Sequence, residues 1–245
     1  MTAAVPPAVR RDRADDALRA ITVERGGHLH AEGAARVTWG HNVVVATVSV
    51  EARLPPHLRG RGYRGGWLTA EYGMLPRATN ERMPRERGQV RGRSQEIQRL
   101  LGRALRAAVD LDAFPGHTLH VDCDVLQADG GTRCAAILAG YTALHDLAER
   151  RVFAGKLDAW PLNHEVAAVS VGLLDGRALL DLDQAEDAAA TADLAVVGTG
   201  DGQVIEVHGG GEGAPLDAET YVQLVALGLA GVARVVELAR VGWSR

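Results

Sequence analysis

Cysteine, aromatic residues and long apolar runs are all scarce in this chain of 245 residues. The two cysteines, Cys123 and Cys134, are too few for a disulfide framework, and their spacing does not match a zinc site. The longest apolar run, residues 43–50, is far too short to span a bilayer, and the first residues contain no apolar signal core. These absences predict a cytoplasmic protein with reduced, partly buried thiols and no membrane association.

The rest of the composition is that of an ordinary globular protein, with 47% hydrophobic and 24% charged residues. This excludes disordered and collagen-like chains. The length allows one large or two small domains and is sufficient to bury a core without covalent cross-links.

Lysine is also nearly missing, because Lys156 is the only lysine among 27 basic residues. The codon usage of a GC-rich genome is sufficient to explain this preference for arginine, so the preference alone does not indicate a function. The net charge of −4 argues against a nucleic-acid partner. However, residues 52–106 hold 13 arginines and four acids, a charge of +9, so the other 190 residues together carry −13. The arginine-rich segment is therefore a candidate anion-binding region.

Hydrophobic periodicity predicts strands in the first part of the chain. Three β-rich runs at 21–24, 35–39 and 42–50 indicate an antiparallel meander. The polar stretch 55–92 that follows is predicted to be a long loop, which is either mobile or functional. A strand is predicted again at 119–125.

Helical periodicity begins after the predicted loop. Ser94 is predicted to cap a helix that ends near Asp110, a second helix starts at Thr132, and Asp217 opens a last, largely apolar helix. Two hairpins are predicted within residues 166–207. Together these elements predict an α/β (α+β) fold of mixed sheet with packed helices and suggest a weak internal duplication.

The turn between the strand at 119–125 and the second helix has the sequence DGGTR, residues 129–133. Two glycines let the backbone approach a ligand closely, and the free N–H groups of the first helical turn favour an anion such as phosphate. Arg133 adds a charged fork, and Arg93 precedes the other helix in a similar way. The same sequence also suits a structural turn followed by a surface arginine.

An acidic segment follows in the second half, with Asp181, Asp183, Glu186, Asp187 and Asp193 within 13 residues. Asp181 and Asp183 are predicted to share one face of a strand. Asp187 and Asp193 are the pair best placed to bind Mg²⁺ together. The alternative is a solvated acidic loop.

The predicted long loop carries arginines that could follow a phosphate backbone without reading bases. They are Arg77, Arg82, Arg85, Arg87 and Arg91. Tyr63, Trp67 and Tyr72 lie nearby and are candidates for stacking on unpaired bases, although aromatic residues beside a strand are more often core residues.

Taken together, these stretches resemble the RNase PH family of phosphate-dependent 3′ exoribonucleases. The resemblance rests on residues 66–77 (GWLTAEYGMLPR), 93–100 (RSQEIQRL), 122–133 (DCDVLQADGGTR) and 166–172 (VAAVSVG), and on Glu186-Asp187 with Asp193 six residues beyond Asp187. It extends from about Arg13 to Arg240, nearly the whole chain.

The resemblance implies an enzyme that trims the 3′ ends of tRNA precursors and other RNA with inorganic phosphate as co-substrate. The reverse reaction would add nucleotides from diphosphates. The residues that would bind phosphate are Arg93, Gly131, Thr132 and Arg133. The catalytic, Mg²⁺-associated acids would be Asp187 and Asp193. Arg77, Arg82 and Arg85 would lie near the RNA path and the subunit contacts.

The resemblance also implies a duplicated βαβ fold like that of a ribosomal protein, assembled as a homo-hexamer of three dimers. We expect a tail at 1–12 and one domain at 13–245, with related halves at about 13–155 and 156–245.

This chain departs from the family pattern near the expected site. Asp12-Arg13 replaces the N-terminal Gly-Arg, Cys134 and Ala136 replace a threonine and a serine, and Ala195 replaces an asparagine. The run 208–213 (HGGGEG) also differs from the family, and the long loop is altered. None of these departures removes an expected phosphate ligand or catalytic carboxylate. Two alternatives stay open beside this expectation: a catalytically weak or silent RNA-binding ring subunit, and a metal-dependent hydrolytic nuclease.

Overall fold

The structure is a computed structural model that describes residue 10 and residues 13–60, 62–86 and 92–244. The predicted tail 1–12 lies outside this part except for Arg10. The strands are β1 (Ile21–Arg25), β2 (Gly33–Trp39), β3 (Asn42–Glu51), β4 (Trp67–Met74), β5 (Thr118–Gln127), β6 (Val166–Leu174), β7 (Arg177–Leu180), β8 (Ala192–Thr199) and β9 (Val204–Gly211). The α-helices are α1 (Gly92–Ala108), α2 (Thr132–Phe153), α3 (Gln184–Ala189) and α4 (Ala218–Trp243).

The first sheet has the strand order β1-β2-β3-β5-β4. Its first three strands form the predicted antiparallel meander, and β5 pairs antiparallel with β3. The outer strand β4 runs parallel to β5, as a βαβ unit with α1 as its crossover requires. This sheet is therefore mixed, as predicted.

Two details of the first half were predicted wrongly. The stretch predicted to be one loop contains β4, whose alternate residues Leu68, Ala70 and Tyr72 are buried. Ser94 does not cap α1, because it lies inside the first helical turn, where its hydroxyl donates a hydrogen bond to Glu86 Oε1 at 2.8 Å.

The second sheet has the order β7-β6-β8-β9, and each of its described pairings is antiparallel. Helix α2 is buried along most of its length and packs on β2, β3 and β6, so it joins the two sheets. A large hydrophobic core cluster includes Trp39, Tyr141 and Val196 and thus reaches from the first sheet to the second.

The last helix, α4, begins after Asp217 as predicted, since the Asp217 carboxylate accepts a hydrogen bond from Thr220 N. Within the described residues it is the one helix long and apolar enough to cross a membrane. The core helix of a globular protein meets the same criterion, and α4 packs on β6, β8 and β1. Its outer side exposes Val222 and Val241.

Candidate active site

The turn between β5 and α2 is built from glycines in the left-handed conformation. Gly130 and Gly131 have φ values of +69° and +72°. Asn42 secures the turn from the sheet, because its amide donates to Gly130 O at 2.6 Å and accepts from Asp129 N at 2.7 Å. Gly131 is the N-cap of α2 and has no side chain to bind the first-turn amides. The turn therefore leaves N–H groups and the positive end of the helix dipole for an anion.

A cavity of about 280 Å³ opens beside this turn. It is lined by Gly131, Thr132 and Arg133 from the turn, by Arg93 and Ser94 from α1, and by Asp187, Asp193 and Ala195 from the second sheet and its connection. The six residues predicted to bind phosphate or metal thus converge on one cavity, although they come from three separate segments of the chain. The cavity therefore carries both positive and negative side chains, so it is suited to bind two anions and one cation together.

The structure separates the acidic segment into structural and cavity-lining carboxylates. Asp181 and Asp183 do not share a strand face, which corrects the prediction, because β7 ends at Leu180 and Asp181 has a φ of +57°. Asp183 caps α3, where its carboxylate accepts hydrogen bonds from two backbone amides. Asp181 and Glu186 are buried and paired with arginines.

Asp187 and Asp193 are the two acids of this segment that line the cavity. In the part of the chain that the structure describes, their side chains have no hydrogen bond or ion pair. Burial and the charge of Asp193 raise the pKa of Asp187, while Arg133 and Arg93 act in the opposite direction. Both arginines are thus close enough to act on one carboxylate.

This carboxylate pair fits a hydrated divalent cation better than a protein-enclosed one. No group of three or more His, Cys, Asp or Glu side chains suited to a metal occurs among the described residues. Mg²⁺ is commonly held by one or two carboxylates, with water and substrate phosphate completing its shell. Asp187 and Asp193 have no ion pair among the described residues and share the cavity with Arg93 and Arg133, so they meet that requirement.

Tyr72 is a site residue that the sequence reasoning placed only among candidates for base stacking. It is buried at the cavity wall, and its hydroxyl lies 2.9 Å from Thr132 Oγ1. Burial raises the pKa of Tyr72, so its hydroxyl stays protonated and can orient Thr132. Its position in the family-like segment 66–77 was the available signal.

Cys134, Ala136 and Ala195, three positions near the site where this chain departs from the family pattern, are all buried and bring no reactive group to it. Cys134 is fully buried, and burial raises the pKa of its thiol to about 12, so it is neither a nucleophile nor a metal ligand near neutral pH. Ala195 lines the cavity without a polar group. Cys123 is buried as well.

The loop arginines differ in what they face. Arg85 lines a depression that shares Met74, Met83 and Glu86 with the cavity wall. Arg82 is exposed, and Arg77 donates to Asn80 O within its own loop. Arg87 and Arg91 lie outside the described residues.

The other aromatic candidates for base stacking are engaged within the chain. Arg106 lies over the Trp67 ring at 4.9 Å from its centroid, and the Tyr63 hydroxyl donates to Gly66 O at 2.8 Å. Neither residue lines the cavity.

Comparison with known proteins relates most of the chain to one family. The 3′ exoribonuclease family matches with its domain 1 over residues 17–148 and with its domain 2 over residues 164–231. Ribonuclease PH from Deinococcus radiodurans is 48% identical over 233 residues, which are 94% of this chain and 94% of that protein.

Solved structures with the same fold include Rrp46 from rice (Oryza sativa), with a TM-score of 0.73 and 24% identity over 95% of this chain and 98% of that chain. The Archaeoglobus fulgidus exosome with RNA bound to the active site matches with a TM-score of 0.77 and 23% identity over 92% and 90%. At such identities the two structures establish the fold alone.

Proposed function

Since the chain belongs to the 3′ exoribonuclease family, as a relative of ribonuclease PH, we propose that the cavity between the Gly-Gly turn and α3 is its phosphorolytic active site. The protein is a phosphate-dependent 3′ exoribonuclease and nucleotidyltransferase. The single observation that carries the assignment of the site is the convergence of two arginines, a helix N-terminus and the carboxylates of Asp187 and Asp193 in one cavity.

Inorganic phosphate binds at the start of α2 in this proposal. Arg93 and Arg133 neutralise it, while Gly131 and Thr132 offer backbone and hydroxyl donors. A phosphate oxygen attacks the last internucleotide phosphorus, and the bond to the 3′ oxygen of the preceding nucleotide breaks. That oxygen takes up the proton of the hydrogen phosphate to become the new 3′ hydroxyl, and a nucleoside diphosphate leaves. Because the nucleophile is already an anion, the protein's task is to position two anions that repel each other.

Asp187 and Asp193 face the same cavity and are the residues that would hold Mg²⁺. When bound, the cation would neutralise charge on the transferring phosphoryl group. Asp187 and Asp193 would thus add the charge of the cation to that of Arg93 and Arg133 in the same cavity.

RNA reaches the cavity along the arginine-bearing loop in this proposal. Arg85 lies at the depression next to the cavity, and Arg82 is exposed on the same loop. These side chains are suited to the backbone of a 3′ end such as that of a tRNA precursor, which would be bound by charge rather than by base identity.

We also propose that the chain acts as a homo-oligomer, a hexamer of three dimers. The apolar residues Val222, Leu238 and Val241 are exposed along α4, and β9 is an edge strand of the second sheet. Such surfaces are typical of subunit contacts. The mass of the particle in solution tests this assembly.

The test of the proposed function is phosphate dependence. With a 3′-extended tRNA, Mg²⁺ and phosphate, we expect shortening that releases nucleoside diphosphates; without phosphate, shortening stops. Shortening that proceeds equally well without phosphate and releases monophosphates would contradict phosphorolysis in favour of hydrolysis.

Tyr72→Phe should weaken phosphate binding and lower the free energy of unfolding by about 1 kcal/mol. The variant removes only the hydroxyl that faces Thr132 Oγ1, and a hydrogen bond of this kind contributes about 1 kcal/mol. We expect the KM for phosphate to rise about fivefold. The steady-state rate as a function of phosphate measures this effect, and an unchanged KM would remove Tyr72 from the site.

Replacing Arg82 and Arg85 together by alanine should make RNA binding less dependent on salt. Each phosphate contact that is lost should reduce the slope of log affinity against log salt by about 0.7 for single-stranded RNA. Fluorescence anisotropy at several salt concentrations gives the slope. An unchanged slope would mean that these arginines do not contact RNA. Arg177→Ala in β7, which removes one exposed arginine outside this loop, serves as a control.

A further inference from the structure

The largely buried side chain of Arg19, which is 10% exposed, connects two segments that both reach the candidate active site. It donates to the carbonyls of Asp129 and Gly130 in the Gly-Gly turn, the latter at 3.2 Å. It also donates to Leu182 O at 3.1 Å, two residues before α3. One side chain therefore binds the turn that precedes Thr132 and the backbone that leads to Asp187.

Asp181 fixes the orientation of this guanidinium. Its carboxylate accepts hydrogen bonds from Arg19 N at 2.7 Å and from Arg19 Nη2 at 2.7 Å. The Trp39 indole N–H donates to the same carboxylate at 2.9 Å. Burial opposes the charge of Arg19, but the hydrogen bonds and charge of Asp181 outweigh it and raise the pKa of the guanidinium.

The contacts of Arg19 determine which way the turn's amides point. In a trans peptide unit the C=O and the following N–H point in opposite directions. An arginine that holds the carbonyl of Gly130 therefore also sets the direction of the Gly131 N–H at the start of α2. A lysine at this position could not make the same set of hydrogen bonds, because one ammonium group does not reach several acceptors at fixed angles as a planar guanidinium does.

We infer that Arg19 is a positioning residue that sets the phosphate-binding turn against the carboxylate-bearing α3. Arg19 does not line the cavity, and it acts through Gly130 on one side and through Leu182 on the other. The inference rests on the proposed function, in which the turn binds phosphate and Asp187 of α3 would hold the cation. Arg19 would affect phosphate binding indirectly, through the backbone carbonyls that it holds.

Arg19→Lys tests the inference, since it keeps the charge beside Asp181 but loses the bridge. Because displacement of a reacting group by about 1 Å costs on the order of 100-fold in rate, we expect kcat to fall about 10- to 100-fold. The KM for phosphate should rise about tenfold, and the affinity for RNA without phosphate should stay unchanged. If the lysine variant does not fold, Arg19→Gln is measured in the same way.

Trp39→Phe is the matched control. It removes another donor to Asp181 and lowers stability, yet Trp39 makes no hydrogen bond with the Gly-Gly turn in the described structure. We expect its KM for phosphate to equal that of the wild type. If Arg19→Lys or Arg19→Gln loses only the rate that its unfolded fraction explains and keeps the KM for phosphate, the positioning role is wrong. A wild type that needs no phosphate would instead contradict the proposed function, so the two failures are distinguishable.

Discussion

Asp187→Asn is expected to slow phosphorolysis about 1000-fold while RNA binding stays near the wild-type level. The substitution keeps the size of the side chain but removes one of the two negative charges that face the cavity. Charge stabilisation at a transferring phosphoryl group is worth several kcal/mol, and about 4 kcal/mol corresponds to a factor of about 1000 in rate. Since the Asp187 side chain has no hydrogen bond in the described structure, the fold should tolerate the change.

Asp175→Asn provides the control for this prediction. Asp175 is exposed in the β6–β7 turn with a φ of +51°, and asparagine accepts that conformation well. Rates and RNA anisotropy of both variants are compared with the wild type. An Asp187→Asn enzyme at full rate would exclude the carboxylate from the chemistry. Equal inactivity of wild type and variant would support the silent ring subunit instead.

Local patterns predicted most of the fold. The meander, the β6–β7 and β8–β9 hairpins and the helices from Thr132 and after Asp217 follow from alternation, turn residues and helix caps, which act within a few residues. Strand β4 was not predicted because Glu71 and Gly73, on its less buried face, have low strand propensity. Its parallel partner β5 also lies across a whole helix in the sequence. Its stability comes from that tertiary pairing, which no local window contains.

The candidate site was predictable in its residues but not in its arrangement. Spacing placed Arg133 at a helix start and Asp187 in an acidic connection, but it could not bring them together. The acidic segment shows why: five carboxylates look alike in sequence, and only the structure shows that Asp181 and Glu186 are neutralised by arginines. Those partners, Arg10 and Arg19, lie more than 160 residues away, and nothing local indicates them.

The net charge of the chain likewise does not predict which charged residues meet in the structure. The average of −4 argued against RNA, yet the +9 segment 52–106 contributes Arg93 and Arg85 around the cavity while acids line its other side. Some of that segment's arginines have structural tasks instead, as Arg106 over Trp67 and Arg103 paired with Glu206 show. A charge count therefore located the region, whereas contacts decide the role of each arginine.

Gly130→Ala is expected to be the most damaging single-methyl change in the site. A Cβ at Gly130 would lie 2.4 Å from the carbonyl carbon of Asp183 and 2.6 Å from Gln184 N, both of them backbone atoms. Its φ of +69° adds the strain of a left-handed residue, about 1–2 kcal/mol, and overpacking typically costs about 1–3 kcal/mol more. We expect the free energy of unfolding to fall by about 3 kcal/mol.

The kinetic consequence of Gly130→Ala follows from where the contact lies. The added methyl group pushes the phosphate-binding turn away from the start of α3, so the arginine side and the carboxylate side of the cavity separate. A displacement of about 1 Å costs on the order of 100-fold in rate, so kcat/KM for phosphate should fall at least that far in the folded fraction. Denaturant unfolding and steady-state rates of the same preparation separate the two effects.

Gly176→Ala isolates the contribution of the backbone strain. Gly176 has a φ of +75°, but a Cβ there would meet no atom within 4 Å. This variant should therefore lose about 1–2 kcal/mol of stability and keep the wild-type rate constants. Because both variants carry the same left-handed strain, a kinetic defect confined to Gly130→Ala arises from contact between the turn and α3. Equal kinetics in the two variants would show that the spacing of these segments does not control the reaction.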